Sequence, residues 1–318
     1  MGKQIELSRE SSGSLISTKP VMTFARYRRL FLVLLCAPAF VYVLAVAVWP
    51  LLQGVYFSLY EYNLMRPASR AFVGLQNYRD FWADEAARGA IITTSIFTFS
   101  AVTLELILGL GLALLLWRDS VFERALLALL LIPVTVTPVA VGLIFRALLA
   151  PDFGVLGYYF AEWGLSGPRG FLGNPATALW TLVAIDAWEW TPLVTLILLA
   201  GLKSLPTDIL EAAEADGATL AQRFRLIILP MLLPTIFLAA VLRSMDAFKV
   251  FDIIFATTNG GPGDATNTMM LFAVKEGLQF FNIGRASSIA NLMIICIALF
   301  SVAFVILIRG ADRKANER

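Results

Sequence analysis

Apolar side chains run along this chain in six long blocks, and polar residues collect between them. The blocks cover Leu30–Val55, Ala90–Trp117, Ala125–Leu149, Ala178–Leu202, Leu226–Val250 and Ser287–Ile308. Each exceeds the about 20 residues that a helix needs to cross hydrocarbon about 30 Å thick. Inside a bilayer the backbone N–H and C=O groups must be satisfied within the segment, which a helix does and a lone strand does not. The pattern therefore predicts an all-α fold, a polytopic transmembrane helical bundle of six spans. The fifth block is the least regular, because polar residues begin at Arg243.

Composition narrows the function classes. Charged residues make up 15% of the chain, and mean hydropathy is +0.76. A soluble domain carries about a quarter charged residues. The absence of histidine removes His general bases, His metal ligands and His-dependent triads. Cys36 and Cys296 both fall inside apolar blocks and read as small apolar side chains. The first block is long and has no small-residue cleavage site after it, so it reads as a span and not a cleaved signal. The Ser- and charge-rich stretch before it reads as a tail.

The basic residues are unevenly placed. With six spans both termini share a side, and that side holds fifteen of the 25 Lys and Arg residues: Lys3, Arg9, Lys19, Arg26, Arg28, Arg29, Arg118, Arg124, Lys203, Arg223, Arg225, Arg309, Arg313, Lys314 and Arg318. Lys and Arg enrichment marks the cytoplasmic face. The expected organisation is a cytoplasmic N-terminal tail over residues 1–29, a transmembrane domain over 30–308 and a cytoplasmic C-terminal tail over 309–318. No basic stripe for nucleic acid emerges. Three longer loops, Tyr56–Gly89, Ala150–Thr177 and one containing Thr258 to Gly263, fall on the far side. Trp49, Trp117 and Trp180 lie near expected span ends, where the bilayer interface would hold their indoles.

The cytoplasmic loop over 203–225 carries the most specific pattern. Glu211-Ala212-Ala213 is followed after three residues by Gly217, after nine more by Ile227, and then by Leu229-Pro230. Pro206 suits the first turn of a helix. Asp208 and Glu211 place negative charge near the positive end of its dipole. The alanines favour helix and let another surface come close. Gly217 can adopt the left-handed conformation that ends a helix, and a second short helix starts near Thr219. Leu229-Pro230 and Pro234 free backbone groups at the start of the fifth span, a bend point.

This loop resembles the signature loop of inner-membrane permease subunits of carbohydrate-type ABC importers. Looser matches to that family are Phe72-Val73-Gly74-Leu75-Gln76-Asn77-Tyr78, the run from Trp188 to Pro192, and Phe248 to Asp252 followed by Thr258 to Gly263. The resemblance implies a type I permease fold in a bacterial inner membrane, multi-pass, with both termini cytoplasmic. It implies coupling to an ATPase through Glu211, Ala212, Ala213, Asp216, Gly217, Leu229 and Pro230. The implied partners are a second homologous permease subunit, two cytoplasmic ATPase subunits, an extracytoplasmic substrate-binding protein and membrane lipid. Cofactors would be absent from this chain, with ATP and Mg held by the ATPase, since no Gly-x4-Gly-Lys-Ser/Thr occurs here.

Ionisable groups within spans are costly and so point to function. Asp186, Glu189, Trp190 and Leu193 follow helical spacing and share a face of the fourth span. Counted from Ala178, Glu189 lies roughly 16 Å deep. Carboxylates accept hydrogen bonds from hydroxyls, and an indole packs on the C–H face of a sugar. The family places cargo contacts on this span and the next, which points to Glu189, Trp190, Leu193, Arg243, Asp246 and Val250; Asp186 joins them on spacing alone. Arg243 with Asp246, and Lys249 with Asp252, are also spaced to pair. These charges either meet cargo or form structural ion pairs. Glu105 and Asn291 read as interhelical hydrogen-bond groups, and Gly109 and Gly111 as a packing surface. Two rival classes stand beside the importer. One is an ion-coupled secondary sugar transporter using Asp186 or Glu189, which gives no reason for the signature loop. The other is a membrane enzyme, for which no nucleophile motif or metal-ligand cluster is present.

Overall fold

The computed structural model describes residues 24–117 and 121–316. Lys3, Arg9, Lys19, Arg118 and Arg318, with most of the expected N-terminal tail, lie outside the described residues. The chain divides into two compact units, residues 1–53 and 54–318. The first is helical from Phe24, with a π-helical turn over Leu44–Val48.

Among the described residues, five helices are long and apolar enough to cross a membrane: α1 (Phe31–Ser58), α3 (Glu85–Leu115), α7 (Pro175–Lys203), α9 (Leu220–Ala247) and the part of α12 (Ile283–Asn316) that runs from Ile283 to Val302. Between them lie α2 (Gln76–Ala83), α6 (Val155–Glu162), α8 (Thr207–Ala215), α10 (Asp252–Thr257) and α11 (Met269–Val274). The third expected span is not one straight helix. It is α4 (Ala125–Thr135) and α5 (Pro138–Leu148), bent by 93°. Pro138 opens α5, and Val136 and Thr137 before it are extended. Proline pushes the preceding residue out of helical geometry and lacks the N–H that would bridge the break.

α9 begins at Leu220, before the expected Leu226, because a π-helical turn over Phe224–Ile228 joins its polar start to the apolar helix. It ends at Ala247, so Val250 lies beyond it. Trp49 sits well inside α1, whereas Trp117 follows the end of α3 and Trp180 lies near the start of α7.

The core is built on α3, α7 and α9. Phe97, Leu182 and Ile254 belong to one buried cluster, and Ala113, Leu198, Leu202 and Leu232 to another. Lipid tails are as apolar as leucine, so such contacts depend on close fit and not on escape from water. Gly109 shows how tight that fit is. A Cβ there would stand 2.8 Å from Val194 Cγ1. Gly111 meets nothing within 4 Å, so the expected two-glycine surface reduces to Gly109.

The loop after α1 forms a short antiparallel ladder, β1 (Tyr60–Glu61) with β2 (Ala71–Phe72). Asn77 holds it by donating to the carbonyls of Ser58 (2.8 Å) and Tyr60 (2.9 Å). Asn291 donates to the Gly54 carbonyl (3.3 Å) and the Tyr78 hydroxyl (3.2 Å), the interhelical role expected of it. Asp84 caps α3 and bonds Arg285 at the start of α12. Partial burial would raise the Asp84 carboxyl, but hydrogen bonds from Arg285 and the Ala86 N–H outweigh it and hold it below the ordinary aspartate value.

Candidate functional site

Arg243 of α9 is the hub of a buried charge cluster. Its Nε and one terminal nitrogen grip both oxygens of Glu105 on α3, at 2.6 and 2.8 Å. The same terminal nitrogen reaches Asp186 on α7 at 2.9 Å, and the other reaches Asp246 at 3.3 Å. Its guanidinium also lies 4.8 Å from the centre of the Trp190 ring. Arg243, Glu105 and Asp186 are each buried. The planar five-donor fork makes this possible, because lysine could not serve two oxygens of one carboxylate and a second carboxylate in this way. One side chain thus ties three spans together.

Beside the cluster lies a cavity of about 450 Å³. Asp186, Trp190, Arg243, Asp246, Lys249 and Asp252 supply its chemistry, and Val250 also lines it. Lys249 pairs with Asp246 at 3.2 Å, not with Asp252 as its spacing suggested. Helical geometry stops after Ala247, so the expected i,i+3 relation is lost, and Asp252 instead opens α10. Glu189 stands at the midpoint of α7, fully buried, and neither carboxylate oxygen has a hydrogen-bond partner. It lies outside the cavity lining, as does the half-buried Leu193. An unmet buried carboxylate is among the costliest groups a span can hold.

The segment between α7 and α9 has a different character. α8 is capped after Ala215, at Asp216, by a Schellman turn: the Ala218 N–H donates to the Ala213 carbonyl (2.9 Å) and the Gly217 N–H to that of Glu214 (3.0 Å). Gly217 has φ +79°, the left-handed region where a side chain is strained. Thr219 and Gln222 then form a reciprocal capping box that starts the next helix. Arg223 bonds Glu214 at 2.6 Å and pins the two helices together. Leu205, Leu210 and Phe224 anchor the unit on the Leu198–Leu232 cluster. Glu211, Ala212, Ala215, Asp216 and Leu220 remain exposed, and Ala213 is half-buried.

A model of the "binding-protein-dependent transport system inner membrane component" family matches residues 105–317. A probable ABC transporter permease protein of Sinorhizobium fredii is 37% identical, over 86% of this chain and 89% of its own length. The chain belongs to the inner-membrane permease family of binding-protein-dependent ABC importers. A trehalose/maltose transport system permease protein of Thermococcus litoralis is 34% identical, over 86% of this chain and 91% of its own. In fold, the permease resembles a chain of a bacterial ABC transporter involved in import of the acidic polysaccharide alginate. The TM-score is 0.76 at 19% identity, covering 90% of this chain and 96% of that one. Members of this family are transport components, so the permease is not itself an enzyme.

The structure brings the site residues of the permease into two groups. Asp186, Trp190, Arg243, Asp246 and Val250 meet at the cavity; Glu211 to Gly217 form one capped unit that leads into α9, where Leu229 and Pro230 follow its π-helical turn. Sequence reasoning kept Glu105 apart from the charged site, as an interhelical hydrogen-bond group. The available signal was complementary: a lone acid and a lone base, each deep in a span, are cheapest when paired. Lys249 and Asp252, spaced in sequence as a pair, both line the cavity instead.

Proposed function

We propose that the permease moves a carbohydrate inward through the cavity beside Trp190 and takes its drive from a separate ATPase through the α8 unit. The reading rests above all on one observation. The 204–222 segment is a doubly capped helix–turn–helix, rooted between two spans and exposed along Glu211 and Ala212. Such a unit can transmit a push as a rigid body. Small side chains at Ala212 and Ala215 let a partner surface approach, and Glu211 offers it a polar contact.

Charge bias supports a cytoplasmic α8 unit with both termini on that side. ATP and Mg would then be held by two cytoplasmic ATPase subunits. A second, homologous permease would complete the pathway, and an extracytoplasmic binding protein would deliver cargo. The trehalose/maltose relative supports a carbohydrate cargo, as does an indole set among carboxylates. The ion-coupled alternative gains nothing from family membership; of its two coupling groups, Asp186 is bonded to Arg243 and Glu189 is buried without a hydrogen-bond partner.

Sealed vesicles carrying the assembled importer test this reading. Uptake should require ATP, survive an uncoupler, and be lost in Gly217→Val while membrane insertion persists. Trp190→Ala should lower uptake more than assembly. Uptake that continues without nucleotide and collapses with the uncoupler restores the ion-coupled class.

A further inference from the structure

Every cation lining the cavity beside Trp190 is already engaged by protein carboxylates. Arg243 spends its fork on both oxygens of Glu105, on Asp186 and on Asp246, and its flat face lies over the Trp190 ring. Lys249 is held by Asp246. Asp252 also lines the cavity and has no ion-pair partner among the described residues, and Glu189, buried and outside the lining, has both oxygens unmet. Acceptor groups are thus in surplus and free cationic donors are lacking.

From this we infer that the permease selects an uncharged, hydroxyl-rich cargo and turns away sugar acids and sugar phosphates, an inference that rests on the carbohydrate reading above. An anionic group entering here meets the carboxylates of Asp186, Asp246 and Asp252, and it can gain a cation only by displacing one of the protein's own carboxylates, from buried Arg243 or from the more exposed Lys249. A hydroxyl, by contrast, donates directly to a free carboxylate, which is acceptor-only when ionised. The half-buried Trp190 ring leaves an apolar platform for the C–H face of an uncharged ring. In this arrangement Arg243 is a positioning residue: it orients Asp186 and Trp190 and has no donor pair to spare for cargo.

The test is equilibrium binding to the complete importer in nanodiscs, with the binding protein left out so that the permease cavity alone is read. The probes are neutral mono- and disaccharides and their matched uronates and phosphates. Neutral members should bind at least about tenfold more tightly than their anionic counterparts, the scale of one unfavourable charge contact. Asp252→Lys should remove most of that preference and Asp252→Asn part of it; where the lysine variant does not assemble, the asparagine variant carries the test. Anions that bind as tightly as neutral sugars, or a preference unchanged in the assembled Asp252 variants, overturn the inference and leave the carbohydrate reading standing. Binding by no sugar of either kind removes both.

Discussion

The Arg243 cluster and the α8 unit are both islands of charge in an apolar chain, yet they are built on opposite principles. In the cluster, charges from α3, α7 and α9 are buried and satisfied by one another across long sequence separations. In the α8 unit, charge and caps lie largely at the surface and are satisfied within about a dozen residues, through Gly217–Glu214, Ala218–Ala213, Thr219–Gln222 and Glu214–Arg223. Taking an ion pair out of water is expensive, so the buried site is spent on holding spans in place. Exposed pairs contribute little energy but leave their surface free for another molecule. One site can be rigid because it is hidden; the other can be touched because its rigidity is local.

The contrast is sharpest at Arg243. Arg243→Met should cost about 3–5 kcal/mol, because it strands Glu105 and Asp186 without a partner. Thermal unfolding of the purified permease measures this, and adding Glu105→Gln to Arg243→Met should recover part of the loss. If single and double variants unfold alike, the cluster is not the fastening described. Gly109→Val should cost about 1–3 kcal/mol through overpacking against Val194, again seen in unfolding. Gly217→Val tests the other region. The site is open around its missing Cβ, so the cost is the left-handed backbone alone, about 1–2 kcal/mol. The unfolding temperature should fall modestly while ATP-coupled uptake is lost; a large fall in stability with coupling preserved would reverse the assignment. Smallest is Arg223→Ala, which removes a pair exposed on its glutamate side, the arginine being 18% and Glu214 69% exposed, worth up to about 1 kcal/mol. Its unfolding should be close to wild type, and a large effect would place the α8 unit among the buried, interlocked parts.

Much of the fold was legible because local rules governed it. The α8 helix, its stop at Gly217 and the new start at Thr219 follow from residue chemistry within a few positions. The third span escaped because its block is apolar enough on average to read as one crossing, and hydropathy does not register Pro138 as a bend of 93°. The candidate site was half legible. Asp186 was legible from its spacing on the fourth span, and Trp190 and Arg243 from the family resemblance, whereas Glu105 lies 138 residues from the arginine it grips. Spacing also paired Lys249 with Asp252, because it assumed a helix that ends at Ala247.

The sequence alone determined a membrane-spanning helical chain, its signature loop and the depth of its charged residues, since each depends on the length, polarity or backbone preference of a short segment. Only the tertiary structure decided which charges meet, that Glu189 is walled off while Asp252 faces the cavity, and that Arg243 serves the protein's own carboxylates. The physical reason is that pairing and burial are properties of distance in space, set by how three helices pack together.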